Sequence, residues 1–213
     1  MLFFYDCVFD LSKAEKDLKN FKVLLDSKTE VGESELQQFF DGNIQLLWLL
    51  GYVTGIDVPV KYCAESSVFG KYRTDYIVTN ADQTKLTFVE FEEAKLNSIF
   101  KSKPAQTSTR YDWSNTFEHG VSQVTDWFYL LSENYGTDLM ENEFGCRKIK
   151  YQGVVVAGRD KGIPTKEQQN RLDWRIENTV INSKHIQFFT FDSLYKEMKE
   201  QLNMLKAIAA PQP

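Results

Sequence analysis

Phe88-Val89-Glu90-Phe91-Glu92-Glu93-Ala94 alternates apolar and acidic side chains. In a β-strand successive side chains point to opposite faces. Val89 and Phe91 therefore face a core, and Glu90 and Glu92 stand together on the other face. Upstream, Arg73-Thr74-Asp75-Tyr76-Ile77-Val78 also reads as a strand, and Asn80 to Thr84 carries turn chemistry, so the two runs predict a β-hairpin. With a loop of Ala81 to Thr84 and Asn80 opposite Lys85, Asp75 falls opposite Glu90. Directly opposed residues have Cβ atoms about 4.5–5.5 Å apart. A slip of one residue would send Asp75 to the other face, so this cluster depends on the register.

Three carboxylates at that spacing repel one another as anions. A bound divalent cation resolves the repulsion. Oxygen ligands without cysteine or histidine suit Mg2+ or Mn2+, and such a metal can activate water for phosphodiester cleavage. The competing reading is a strand whose glutamates simply line the wet face of a half-buried sheet.

Working outward, Ala14, Leu18, Phe21 and Leu25 mark an amphipathic helix over Leu11 to Leu25, with Ser12 as its N-cap. Asp26 to Gly32 reads as a linker. A second helix starts near Glu33, carries Leu36, Phe39 and Phe40, and breaks at Asp41-Gly42-Asn43. Ile44 to Leu50 is a short buried segment. After the hairpin, Ala94 to Tyr111 has little periodicity and reads as a long loop. Asn115 to Leu131 is a helix with Val121, Val124, Phe128 and Leu131 on one stripe. Lys148 to Ala157 is a strand whose Val154-Val155-Val156 predicts burial on both faces. Thr165 to Asn178 is a polar helix, Ile186 to Phe191 a last strand, and Asp192 caps a helix running towards Ile208. This order predicts an α/β or α+β layered fold, a mixed sheet with helices on its faces. No phosphate-binding glycine motif of either common type is present; Gly158 to Gly162 is a lone basic loop.

Composition narrows the classes further. With 213 residues, 42% of them apolar and 26% charged, the chain can bury a core without staples, which excludes collagen-like, disordered and disulfide-scaffold proteins. The longest apolar runs, such as Leu46 to Leu50, fall far short of the roughly 20 residues that span a bilayer. Met1 to Phe9 lacks the basic flank and cleavage site of a signal peptide. Cys7, Cys63 and Cys146 form no paired motif, and a reducing cytoplasm is the expected location. A net charge of −5 gives no global attraction to nucleic acid, so any such binding needs a local basic patch. Ala94 to Tyr111 supplies one: Lys95, Lys101, Lys103 and Arg110 occur there without an acid.

At the acidic strand the chain resembles a known group. Asp75, fourteen residues, then Glu90-Phe91-Glu92 is similar to the split acidic motif of the PD-(D/E)xK nuclease superfamily. More specifically, the chain resembles the C-terminal nuclease domain of the Shedu anti-phage defence family. The similarity runs through Glu35 to Phe40, Asn43 with Leu46-Leu47, and Val89 to Glu92. It continues through Gln123-Val124 with Trp127, Val155 to Arg159, Arg171 to Arg175, and Thr190 to Leu194. It covers roughly Glu33 to Leu202.

The resemblance implies a restriction-endonuclease-like mixed sheet and an Mg2+-dependent DNA endonuclease of antiviral immunity that self-assembles. It divides the chain into an extension and linker (1–32), a nuclease domain (33–208) and a tail (209–213). Family members commonly carry a large regulatory region before the nuclease, so a minimal member, or one lacking that half, is expected. Asp75 and Glu90 would correspond to the metal-binding acids. The superfamily's third position is lysine, and here it is Glu92. Either Glu92 is a third metal ligand, or the amine comes from elsewhere, with Lys95 nearest.

The resemblance also implies that Gln123, on the helix after the acidic strand, lines the site. His119 shares its face, four residues earlier, and is a general base only if that face meets the metal. Lys101, Lys103 and Arg110 then become phosphate contacts on DNA, as do Arg171 and Arg175, although these last two could equally bridge to Glu167 or to another helix. Trp174 is expected in the core and His185 on the surface. Glu92 in place of lysine keeps open a second function: a catalytically inactive module of the same fold that binds DNA or a protein. A glycosidase-like carboxylate pair ranks last, because two glutamates on one strand do not by themselves face each other across a bond.

Overall fold

The structure, a computed structural model, describes residues 1–104 and 110–209; the side chains of Lys103 and Pro104 lie outside the described ones. A mixed sheet holds seven strands in the order β1 (Tyr5–Asp6), β2 (Lys61–Val68), β3 (Tyr72–Thr79), β4 (Lys85–Phe91), β7 (Lys150–Val156), β9 (Lys184–Phe189) and β8 (Val180–Ile181). Strands β1 to β4 pair antiparallel, β4–β7 and β7–β9 pair parallel, and β8 returns antiparallel. The hairpin has the predicted register. Thr79 opposes Leu86 and Tyr76 opposes Val89; the paired ladder ends there, and Asp75 and Glu90 follow as the next residue on each strand. Asn80 fixes the turn by accepting from the Thr84 and Lys85 amides with its side-chain oxygen.

Helices cover both faces of β4. On one side lie α1 (Leu11–Ser27), α2 (Glu33–Asp41), α3 (Gln45–Val53) and α7 (Phe191–Ala209); Phe21, Phe40, Leu47 and Phe191 bury Tyr76, Val89 and Phe91. On the other side α4 (Asn115–Glu133) and α5 (Asp138–Phe144) place Trp127, Phe128 and Phe144 over Ile77, Phe88 and Val155. A third cluster joins α6 (Lys166–Asn178) to a small antiparallel sheet of β5 (Phe100–Pro104) and β6 (Tyr111–Trp113) through Phe100, Phe117 and Leu172. Among the described residues, no helix is long and apolar enough to cross a membrane, and all three cysteines are free thiols.

Several local expectations change. Asp10, not Ser12, caps α1, because its carboxylate reaches the Lys13 amide. Ile44 to Leu50 belongs to a helix that continues through Gly51. Part of the expected loop after Ala94 is the strand β5, paired to β6 by aromatic stacking of Phe100 on Trp113, a contact that polar-residue content conceals. Thr190 caps α7 by accepting from the Ser193 amide, because Asp192 has another partner.

That partner is Arg159. Its guanidinium is buried and receives Asp192 as a fork, with Nε to Oδ2 at 2.9 Å and Nη2 to Oδ1 at 3.0 Å. Its remaining donors reach the Leu25 carbonyl at 2.7 Å and the Lys28 carbonyl at 2.8 Å, the open C-terminal end of α1. One side chain thus ties α1, α7 and the segment after β7 together. Burial opposes ionisation of Asp192, but the Arg159 and Asp160 N–H bonds outweigh it and hold its carboxyl below the ordinary value. That contribution is present above the ordinary carboxylate range and is lost as pH falls through the lowered value. Replacing Asp192 with alanine leaves a buried guanidinium without its counter-ion. Chemical denaturation at neutral pH should show a loss of about 3–5 kcal/mol, and the gap from wild type should narrow in acid.

Candidate active site

Strand β4 is buried on both faces, and neither Glu90 near its end nor Glu92 just past it lines a wet surface: each is only 5% exposed. Helix α4 covers them. It can lie this close because residue 120 is glycine; a Cβ there would meet Val155 Cγ1 at 2.9 Å and Glu92 Cγ and Oε1 at 3.3 Å. Trp127 holds the same helix down by donating its Nε1–H to the Arg73 carbonyl at 3.1 Å, two residues before Asp75.

Each acid has a dedicated polar partner. Gln123 Nε2 donates to Glu90 Oε1 at 2.7 Å. His119 Nδ1 lies 2.8 Å from Glu92 Oε1. The four-residue spacing of His119 and Gln123 matches the two-residue spacing of the glutamates, so one helix face serves both. Asp75 is held from the other side: Gln37 Nε2 donates to Oδ1 and the Phe91 amide to Oδ2, both at 2.6 Å. Helix α2 is set in place for this by the Tyr76 hydroxyl, which donates to Asp41 Oδ1 at 2.8 Å.

The electrostatics follow from burial first and repulsion second. Desolvation, then the charges of Asp75 and Glu92, push the Glu90 carboxyl up to about 9. Desolvation pushes Glu92 up to about 7 against the pull of His119. Asp75, desolvated but relieved by the Phe91 amide and Gln37, rises to about 6. A buried carboxylate avoids this cost by taking up a proton or a cation. The donor set fits a cation: ligand atoms of Glu90, Glu92 and His119 all lie within 4.8 Å of one another. Asp75 falls outside that group of three, next to it in the hairpin register.

The remaining candidates lie elsewhere. Lys95 makes an ion pair with Glu93, which holds its ammonium above the ordinary value, so it is a neutralised cation and not a free amine. It lines a cleft of about 620 Å³ with Lys101, Lys161, Leu96, Glu30 and Gln168. Arg110 is exposed and pairs with Asp112 at 3.9 Å. Arg171 donates to the Tyr111 carbonyl at 2.7 Å and stacks on Phe100 and Trp113. Arg175 forks the Glu118 carboxylate at 2.7 and 2.6 Å, a partner on α4 rather than the intrahelical Glu167. Trp174, expected in the core, is 67% exposed beside a second cleft of about 890 Å³. Neither Glu90 nor Glu92 lines either cleft. His185 is on the surface, as expected. Lys103 lies on β5, its side chain outside the described ones.

Sequence reasoning missed Gln37 and Gly120. Gln37 sits beside the buried Leu36 and carries no local mark of its contact with Asp75. Gly120 was legible only as a glycine inside a strong helix, a residue that costs helix stability and so signals close approach.

A family model described as Shedu protein SduA, C-terminal, matches residues 30–195 of the chain. No curated protein matches it.

The raised carboxyls give metal-free stability a definite pH dependence. A folded-state value above the ordinary 4.5 of glutamate contributes stability that is full below 4.5 and lost as pH rises through about 9 for Glu90. Glu90→Gln removes that loss and keeps an amide oxygen for Gln123. In EDTA at pH 8 the variant should melt higher than wild type, by about 2–4 °C for each kcal/mol relieved, with the gap shrinking towards pH 5. A clear drop in melting temperature instead would mark Glu90 as a structural group.

Proposed function

The chain belongs to the Shedu family, and on that premise we propose that it is a divalent-metal-dependent DNA endonuclease of anti-phage defence. The observation that carries this reading is the pair of buried glutamates, Glu90 on β4 and Glu92 just past its end, at the carboxyl end of a parallel strand pair, with a histidine nitrogen in reach. Asp75, Glu90 and Glu92 would hold Mg2+ or Mn2+. When bound, the cation supplies Lewis acidity at a phosphoryl oxygen and a more acidic water. The chain's own groups set the stage. Gln123 and His119 orient the glutamates, Gln37 and the Phe91 amide orient Asp75, and the packed helix α4 keeps the acids out of bulk water. Lys101 and Lys161 offer phosphate contacts in the cleft that follows the acidic strand.

One observation favours a second reading, the inactive binding module. Glu92 stands where the superfamily has lysine, and Lys95, the nearest replacement, is bound to Glu93.

Supercoiled plasmid incubated with the protein and Mn2+ separates the two. The endonuclease should give nicked or linear DNA, and EDTA should stop it. Asp75→Asn and Glu90→Gln should each slow cutting by at least about 100-fold, the upper end of what losing even a supporting partner of a metal ligand costs. Intact plasmid in the presence of a bound cation would select the module. DNA binding itself should weaken in Lys101→Ala/Lys161→Ala uniformly across sequences. The slope of log affinity against log salt should fall by about 0.9 per lost phosphate contact. An unchanged slope would place the phosphates elsewhere.

A further inference from the structure

We propose that His119 is a direct nitrogen ligand of the cation, so that the site prefers a first-row transition cation to Mg2+. This rests on the reading that a cation sits on the carboxylates, and it adds a ligand that the acidic motif does not contain. Three features support it. The first is distance. Two donors bound at right angles to one cation at about 2.1 Å are about 3 Å apart, and His119 Nδ1 and Glu92 Oε1 are separated by 2.8 Å in a hydrogen bond whose proton the cation would replace. The second is placement. Gly120 brings this turn of α4 against Glu92, and Gln123, one turn on, occupies Glu90 Oε1, leaving His119 as the nitrogen that faces the acids.

The third is exposure. The His119 side chain is 63% exposed whereas that of Glu92 is 7% exposed. Ligation at His119 therefore sits at the mouth of the site, where water and substrate can complete the coordination. The choice of cation follows from ligand chemistry. Mg2+ takes oxygen almost exclusively and keeps its waters, whereas imidazole binds first-row transition cations well. A nitrogen in the lysine's stead changes the preferred metal rather than restoring an amine.

The test uses the full chain with Mn2+ as probe, read by electron spin resonance, with Mg2+ as competitor. Wild type should bind Mn2+ more tightly than Mg2+, and the spin-echo modulation of bound Mn2+ should carry the coupling of a directly bound imidazole nitrogen. His119→Ala should lose that coupling and at least about tenfold in Mn2+ affinity, with little change for Mg2+. A melting curve checks that the variant is folded. Bound Mn2+ without nitrogen coupling, or equal Mn2+ affinity in His119→Ala, overturns the inference and leaves the carboxylate site standing. Failure of wild type to bind either cation overturns both.

Discussion

Two carboxylates buried at the end of a strand that is covered on both faces impose the conditions that the rest of the molecule meets. Glu90 sits near the end of the buried β4 and Glu92 just beyond it, each 5% exposed. A buried, unpaired carboxylate is among the most costly groups a core can hold. Around them the described residues supply an amide on Glu90 and an imidazole on Glu92, and none of them brings an arginine or lysine to either carboxylate. A full counter-charge would settle the charge permanently. The pair is left able to accept a proton or a cation, which a structural ion pair is not.

The contrast with Arg159 and Asp192 makes the point within one molecule. There a guanidinium and a carboxylate are forked together, the remaining donors meet helix carbonyls, and the aspartate is held ionised below its ordinary value. That cluster sits at the joint of α1, α7 and the segment after β7, where rigidity is what the fold needs. Both clusters fall in stretches that resemble the family, Val89 to Glu92 for one and Val155 to Arg159 with Thr190 to Leu194 for the other. The first leaves charge uncompensated and the second compensates it. Arg175 on Glu118 and Arg171 over Phe100 and Trp113 follow the second pattern, bracing the small β5–β6 sheet against α4 and α6.

Much of the fold was legible because period and turn chemistry are local. The hairpin and its register followed from Asn80 to Thr84 and from the alternation on either side. The double burial of Val154 to Val156 followed from an unbroken apolar run, and α4 from its 3.6-residue stripe. Local signals failed where a partner distant in the chain decided the outcome. Asp192 looked like a cap until Arg159 claimed it, Trp174 looked like core, and the strand β5 lay hidden in a polar stretch stabilised by Trp113.

For the site, the sequence by itself determined that Glu90 and Glu92 share a face, since strand parity leaves no freedom there; the hairpin register that brings Asp75 beside Glu90 depended on the turn, and the structure fixed it. It also put His119 and Gln123 on one helix face. Only the tertiary structure decided that this face comes down on those glutamates, that Gln37 of α2 joins the Phe91 amide in holding Asp75, and that the basic loop's Lys95 turns to Glu93. The physical reason is range. Periodicity fixes which side chains point the same way along one element, but the distance between α4 and β4 is set by side-chain volume at the contact. There a missing Cβ at Gly120 brings an imidazole to 2.8 Å from a buried carboxylate.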